Sequence, residues 1–419
     1  MITPWDVEGA VDYERLMREF GIRPFSEIID EIPNPHPLMR RGVVFGHRDY
    51  DRIVRAMKRR EEWAVMSGFM PSGLPHLGHK MTMDEIVWHQ KMGGKAFVCV
   101  ADIEARFVRG LNRDKLRSFG ELYIRSIVAL GLRPKNCLIY YQSANRHVKD
   151  LAIELSSETN FSELRAVYGF KPETSLIKMF VPMIQAGDIL HPQLKDFGGF
   201  KPVVVPVGID QDPHLRLTRD LANRISIYSF EGIEGGVRVR SRRGREYLEH
   251  LKTLEFDFKA YEEHIDFFGD RETIEREIRK IEVEIGGYAF IPPSSTYHKF
   301  TTGLRGGKMS SSKPESYISL FDKPDEGAKK VMKALTGGRV TVEEQRRFGG
   351  DPDRCVVFEL YTYHFADDKT LEEVRRDCTE GKLLCGRCKR NLAEIVKDFL
   401  RDFQERADSV DLSDYEILE

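Results

Sequence analysis

Two histidines three residues apart, in Pro75-His76-Leu77-Gly78-His79, have the spacing to act on phosphate. At a helix start they share one face near the N-terminus, where free N–H groups and the helix dipole favour anions. Gly78 between them lets a nucleotide approach the backbone closely. Gly68, Pro71 and Gly73 form the turn that leads into them. Far downstream, Lys308-Met309-Ser310-Ser311-Ser312-Lys313 lies between Gly306-Gly307 and Pro314. Lys308 carries a positive charge suited to β- and γ-phosphates. Ser310, Ser311 and Ser312 supply small hydroxyl donors, and Lys313 adds charge. The glycines and serines predict a closing loop, one that delivers Lys308 in the transition state. Together the two strings make a two-part clamp for a nucleoside triphosphate. Each alone also fits a plainer role, the first as a surface helix start and the second as a solvated basic loop.

The elements that must position them read as an α/β alternation. Apolar runs at 63–66, 96–101, 138–141 and 203–207 predict strands, with helices over 76–91 and 212–223. Strands alternating with helices predict a Rossmann-like parallel sheet covered on both faces. In such sheets ligands bind beyond the carboxyl ends of the strands. Gly68–His79 and Gly208–Pro213 both fall there. Residues 1–60 read as a mixed helical and loop N-terminal extension, and 61–324 as the catalytic domain. An insertion is expected at about 227–290, with the basic run 238–245 and a charged helix over 270–284. Residues 325–419 read as a C-terminal helical domain, helical throughout.

Composition narrows the classes. A chain of 419 residues suits two or three units. Its hydrophobic content of 41% supports a substantial core. A net charge of -2 confines any nucleic-acid surface to a local patch. Six cysteines, mostly isolated, suit a reducing cytoplasm better than a disulfide framework. Met1-Ile2-Thr3-Pro4-Trp5-Asp6 lacks a signal peptide's basic start and apolar run, and no stretch is apolar enough to span a membrane. A cytoplasmic location is expected.

The two strings, in this order, resemble the two signatures of class I aminoacyl-tRNA synthetases. Gly208-Ile209-Asp210-Gln211-Asp212-Pro213 resembles a third element of the tyrosyl/tryptophanyl subgroup, although it also reads as an N-capped helix start at Asp212-Pro213. Thr3-Pro4-Trp5-Asp6-Val7-Glu8-Gly9, His47-Arg48-Asp49-Tyr50, Asp210 to Asp220, Ser294 to His298, Gly337-Gly338-Arg339 and Phe348-Gly349-Gly350 look like runs of archaeal and eukaryotic tryptophanyl-tRNA synthetases. The resemblance implies that an ionised amino-acid carboxylate attacks the α-phosphorus of ATP, with Mg²⁺ carried in by the nucleotide. Positioning and charge stabilisation then do the catalysis, by His76, His79, Lys308, Ser310 and Ser311. Gly68, Pro71, Gly78, Asp210, Met309 and Lys313 would line the ATP site, with Asp210 on the ribose. The resemblance further implies tRNA(Trp) as acceptor and a homodimer built through the Rossmann domains.

The amino-acid pocket departs from the eukaryotic pattern, which places a Tyr and a Gln near the indole. The matching positions are Met66 and Cys99, neither a good partner for an indole N–H. Gln185-Ala186-Gly187-Asp188-Ile189-Leu190 resembles a helix of bacterial tryptophanyl and of tyrosyl enzymes. On that resemblance Asp188 accepts the indole N–H, and Gln185, on the same helix face, holds the amino group with Gln211. Glu104 matches a tryptophan-contacting glutamate and reads equally as a surface carboxylate. Met66 reads equally as core packing. Tyrosine is the rival substrate, because Asp188 could accept a phenol. The absence of a second phenol at Met66 favours tryptophan. Other readings are a plain nucleotidyltransferase and a non-catalytic paralogue that binds tryptophan or RNA.

Cys385-Gly386-Arg387-Cys388 is a single C-x-x-C knuckle. Cys355, His364 and Cys378 are nearby in sequence but form no second knuckle, so neither a structural zinc site nor a bound organic cofactor is expected. The basic run Arg238–Arg245 reads either as a tRNA phosphate contact or as a solvated hairpin.

Overall fold

The computed structural model describes residues 12–307, 309 and 313–419, preceded by the backbone of two short paired strands, Ile2–Thr3 and Asp6–Val7. The runs rich in valine and aromatics that read as strands are strands: Ala64–Phe69, Lys95–Val100, Cys137–Tyr141 and Val203–Gly208. They pair in parallel, as expected for strands buried on both faces. Among the described residues the main sheet runs in the order Ile417–Leu418, Cys137–Tyr141, Lys95–Val100, Ala64–Phe69, Val203–Gly208, Ser294–His298, Val44–Arg48, Arg23–Pro24.

The order reverses beside Ala64–Phe69. From there the chain crosses outward to 95–100 and 137–141, then returns to the other side at 203–208 and 294–298. The crevice beyond the ends of Ala64–Phe69 and Val203–Gly208 is therefore the topological switch point. One core layer packs Val65, Val98 and Ile139 against the helix Leu77–Lys91. The other packs Phe97, Leu138 and Val205 against the helices Arg146–Ser156 and Leu176–Leu190.

Segments from both the N-terminal extension and the C-terminal region join the main sheet. The N-terminal extension is part of the sheet, since Val44–Arg48 pairs antiparallel with Ser294–His298 and carries Arg23–Pro24 on its outer edge. Its Val44, Tyr50 and Ile53 share a core with Val65 and Met81. At the other end, Ile417–Leu418 returns to pair in parallel with Ile139 and Tyr140. Strands this short carry no alternation that a periodicity argument could detect.

The insertion is a four-stranded antiparallel sheet with the helix Arg271–Glu284, built around its own core of Val237, Val239, Ile265, Phe267 and Ile274. Four of the five arginines in its basic run are paired. Arg238 forks onto Asp266 at 2.8 and 2.9 Å, Arg240 meets Glu231 at 2.6 Å, and Arg243 meets Glu158 at 2.6 Å. Arg245 pairs with Glu262 and Glu263. The hairpin reading is the one the structure supports. The C-terminal helices, chiefly Pro324–Met332, Asp368–Thr379 and Cys385–Asp408, form a further cluster that also takes in Leu77 of the histidine helix.

Candidate active site

The loop after Ala64–Phe69 passes through buried Pro71 and delivers His76 as the N-cap of the helix Leu77–Lys91. The two histidines cap that helix reciprocally. Gly78 N–H donates to His76 Nδ1 at 3.1 Å, and His76 N–H donates to His79 Nδ1 at 3.2 Å. With each Nδ1 accepting, the network puts the ring proton of both on Nε2. The rings lie 3.8 Å apart at 30°, with Tyr123 OH 3.4 Å from His79 Nε2. Burial lowers the His79 pKa to about 4. Burial, and then His79 and His364, hold His76 well below the usual imidazole range. Both rings are therefore neutral N–H donors at neutral pH, and cationic charge must come from elsewhere.

Gly78 has a reason that sequence reasoning did not see. A Cβ there would stand 3.0 Å from His76 Cε1 and Nδ1, so the glycine makes room for the capping ring. The same point lies 3.5 Å from Met309 Sδ. Met309 is buried, and its N–H donates to Thr301 O at 3.0 Å. Met309 is thus held against the histidine helix. Lys308, Ser310, Ser311 and Ser312 lie outside the described residues. Lys313 is exposed, and its carbonyl accepts from Ser316 N–H at 2.8 Å and Ser316 Oγ at 2.7 Å. Beyond it the Tyr317 ring lies 4.7 Å from His76, tilted at 37°, and Leu77 N–H donates to Ile318 O at 3.1 Å.

Asp210 and Gln211 follow the neighbouring strand Val203–Gly208, on the other side of the crevice. A Cβ at Gly208 would sit 2.6 Å from Asp210 Oδ1, so this glycine seats the Asp210 carboxylate. Gln211 Nε2 donates to Asp210 Oδ2 at 3.3 Å. The expected cap at Asp212 is corrected. Gln211 occupies the N-cap without a side-chain bond, and Asp212 is the first helical residue. Its fully buried carboxylate accepts from Arg48 Nε at 3.0 Å and Tyr297 OH at 2.6 Å, and pairs with Arg216 at 3.0 Å. Asp212 is therefore a brace that ties the N-terminal segment to the helix Asp212–Ile225.

Asp188 and Gln185 lie on the helix Leu176–Leu190. Asp188 is buried and accepts from Tyr140 OH at 2.9 Å and Gln142 Nε2 at 2.6 Å, with the Cys99 thiol 3.6 Å away. Burial pushes its carboxyl up to about 7 against these donors. A carboxylate has about four acceptor positions, so one remains for an incoming N–H. Gln185 Nε2 donates to Glu104 Oε2 at 3.0 Å, and Gln185 Oε1 is buried with no partner among the described residues. Glu104 is not a surface carboxylate. It is buried, and its carboxyl is held above the usual range by that burial. Met66 and Cys99 are packed in the same core as Leu138 and Tyr140. Gly68 sits level with Cys99, and a Cβ there would stand 3.1 Å from Cys99 Cβ.

Three residues were missed. Tyr140 was read only as part of the strand 138–141, and Gln142 was not singled out. A glutamine at the carboxyl end of a parallel strand was the available signal. His364 comes from the C-terminal helices. Its charge would bear on His76 and Lys80, and neither of its buried ring nitrogens has a hydrogen-bond partner among the described residues. It sits in a short π-helical turn, Tyr361–Phe365, a feature frequent at functional sites.

Residues 57–232 and 269–401 match the family described as tRNA synthetases class I (W and Y), and the interval between falls inside the insertion. The chain is 70% identical over 418 residues to a tryptophan–tRNA ligase of Archaeoglobus fulgidus, covering 100% of this chain and 99% of that one. It is 53% identical over 417 residues to a tryptophan–tRNA ligase of Methanosarcina acetivorans, covering 97% and 95%. Its fold matches the crystal structure of tryptophanyl-tRNA synthetase from Aeropyrum pernix with a TM-score of 0.76 at 40% identity, covering 97% and 96%.

Proposed function

Because this chain belongs to the class I tRNA synthetases of the tryptophan and tyrosine group, we propose that it is a tryptophan–tRNA ligase. It activates L-tryptophan with ATP, releases pyrophosphate and passes the tryptophanyl group to the terminal ribose of tRNA(Trp). The observation that carries this reading is the buried acceptor Asp188, held by Tyr140 and Gln142, with Gln185 three residues earlier on its helix and bonded to Glu104 of the helix Asp102–Arg109. An indole offers one N–H and no acceptor, and Asp188 has an acceptor position to receive it. Glu104 and the free Gln185 oxygen suit the substrate ammonium.

The substrate carboxylate is already ionised, so no general base is required. His76 and His79 direct neutral Nε2–H groups at the phosphates, while Asp210 takes the ribose hydroxyls. Lys308 adds the charge that the histidines lack, with Ser310 and Ser311 as further donors. Mg²⁺ would enter with ATP, neutralising the phosphates and held mainly by them and by water.

A homodimer is supported by an apolar hollow of ≈ 510 Å³ lined by Phe161, Leu164, Leu176, Ile177 and Phe180, where Leu176 is 84% exposed. Among the described residues no helix is long and apolar enough to cross a membrane.

The deciding experiment is amino-acid-dependent ATP–pyrophosphate exchange, run with tryptophan and tyrosine side by side. Exchange with tryptophan alone is expected, and exchange with tyrosine would overturn the pocket assignment. Lys308→Ala should slow exchange by about 10²-fold or more while leaving tryptophan binding nearly unchanged.

A further inference from the structure

Residues 299–307 lead from the strand Ser294–His298 toward Lys308, and three parts of the molecule hold them. Phe300 N–H donates to Tyr13 OH of the N-terminal segment at 3.0 Å. Thr301 Oγ1 stands 3.9 Å from Met81 Sδ of the histidine helix, a weak contact. Thr302 is bound far more firmly, from the C-terminal helices. Its N–H donates to Glu359 Oε1 at 2.6 Å, and its Oγ1 donates to Glu359 Oε2 at 2.6 Å. Both carboxylate oxygens are thus used on one residue. A fork of two charge-assisted bonds fixes direction as well as distance, which a single bond does not.

Thr302 is well placed to pass that constraint on. On one side of it Thr301 O accepts from Met309 N–H at 3.0 Å, and on the other Gly303 N–H donates to Gly307 O at 2.8 Å. Gly307 and Met309 are the sequence neighbours of Lys308. Leu304 extends the link to the C-terminal region, since its carbonyl accepts from Leu335 N–H at 2.8 Å. Glu359 itself lies on the helix Val356–Leu360, which runs directly into the π-helical turn Tyr361–Phe365. That turn packs on the histidine helix, with Tyr361 and Leu77 in one apolar cluster. One short segment therefore touches both halves of the phosphate clamp.

A carboxylate is a costly choice at this position. Burial raises the Glu359 carboxyl above its usual range, against the two Thr302 bonds and Lys299. An apolar side chain would escape that desolvation and leave Thr302 unfixed. We propose that Glu359 is a positioning residue for adenylate formation, which acts through Thr302 to set where residues 301–309 stand relative to the histidine helix. This role rests on the synthetase reading, because it concerns the same clamp, and Glu359 itself is bonded to Thr302 rather than placed at a substrate.

The test is ATP–pyrophosphate exchange with tryptophan, measured on the full chain and its variants. Glu359→Leu should lower kcat by about 10–10²-fold, the effect of misplacing a group by about 1 Å. Tryptophan affinity, measured by equilibrium dialysis, should change by less than about twofold, since only an interaction of the transition state is lost. Glu359→Gln, whose amide can accept from the N–H and donate to Oγ1, should restore kcat to within about threefold of wild type. The deciding readout pairs these changes with Lys308→Ala. In the Glu359→Leu background Lys308→Ala should cost about a tenth or less of the factor it costs in the wild type, because the two act as a unit. Should Glu359→Leu fail to fold, Thr302→Val, which removes one bond of the fork from the other side, carries the same pairing. Losses that simply multiply, or an unchanged kcat in Glu359→Leu, would overturn the role of Glu359 alone. A wild-type chain without exchange would overturn the synthetase reading and this role with it.

Discussion

Asp188 carries a pH signature. Its carboxyl in the folded chain is raised to about 7 by burial. Only the ionised form is purely an acceptor, so binding an N–H donor favours ionisation and releases a proton. Tryptophan affinity should therefore be greatest above about pH 7 and fall as pH drops below it, by up to about tenfold per unit. Calorimetric titrations across that range check this, and a flat profile would remove Asp188 from the pocket. Asp188→Asn should abolish the dependence and weaken binding by about 1.5–3 kcal/mol. The histidines behave differently. As neutral donors below their usual pKa range, they contribute no inflection near pH 6.5. His79→Ala should slow adenylate formation by about 10²–10³-fold with tryptophan binding little changed, as measured by single-turnover kinetics and equilibrium dialysis.

Helix contacts set the pocket. Gly187 lets Leu176–Leu190 lie against Arg146–Ser156, because a Cβ there would meet Val148 O at 2.6 Å. Gly187→Ala must part the two helices and carry Asp188 with them. It should cost about 1–3 kcal/mol in denaturant unfolding and raise KM for tryptophan. In the insertion, the arginines that looked free for RNA are paired with Asp266, Glu231 and Glu158. Arg240→Ala should therefore leave the KM for tRNA within about twofold, because an exposed ion pair contributes at most about 1 kcal/mol. A large rise would return the hairpin to the RNA-binding surface.

At the scale of the molecule, both ends of the described chain reinforce the site. Leu418 pairs in register with Tyr140, the residue that holds Asp188, and Tyr415 OH donates to Leu132 O at 2.6 Å. Removing residues 412–419 should loosen the edge strand, lower Tm by several degrees and weaken tryptophan binding more than ATP binding. Equal losses for both ligands would show that the tail acts on stability alone. At the other end, Arg48 braces Asp212 beneath the nucleotide helix. Arg48→Ala leaves that buried carboxylate with Arg216 and Tyr297 only, at a cost of about 3–5 kcal/mol.

The sequence by itself determined the alternation of strands and helices, the histidine pair at a strand's end and the separate character of the insertion. These follow from local periodicity, turn chemistry and motif spacing, which the chain carries within a few tens of residues. It also singled out Asp188, Gln185 and Glu104 through resemblance, while leaving Glu104 undecided between surface and pocket. Only the tertiary structure removed the surface reading, by burying Glu104 against Gln185. It likewise brought Tyr140 and Gln142 onto Asp188, brought His364 toward His76, and brought Cys355 and Cys378 to the Cys385–Cys388 knuckle. Each of these pairings joins residues far apart in the chain. Whether such groups meet depends on how helices and strands pack, and neither composition nor periodicity encodes that locally.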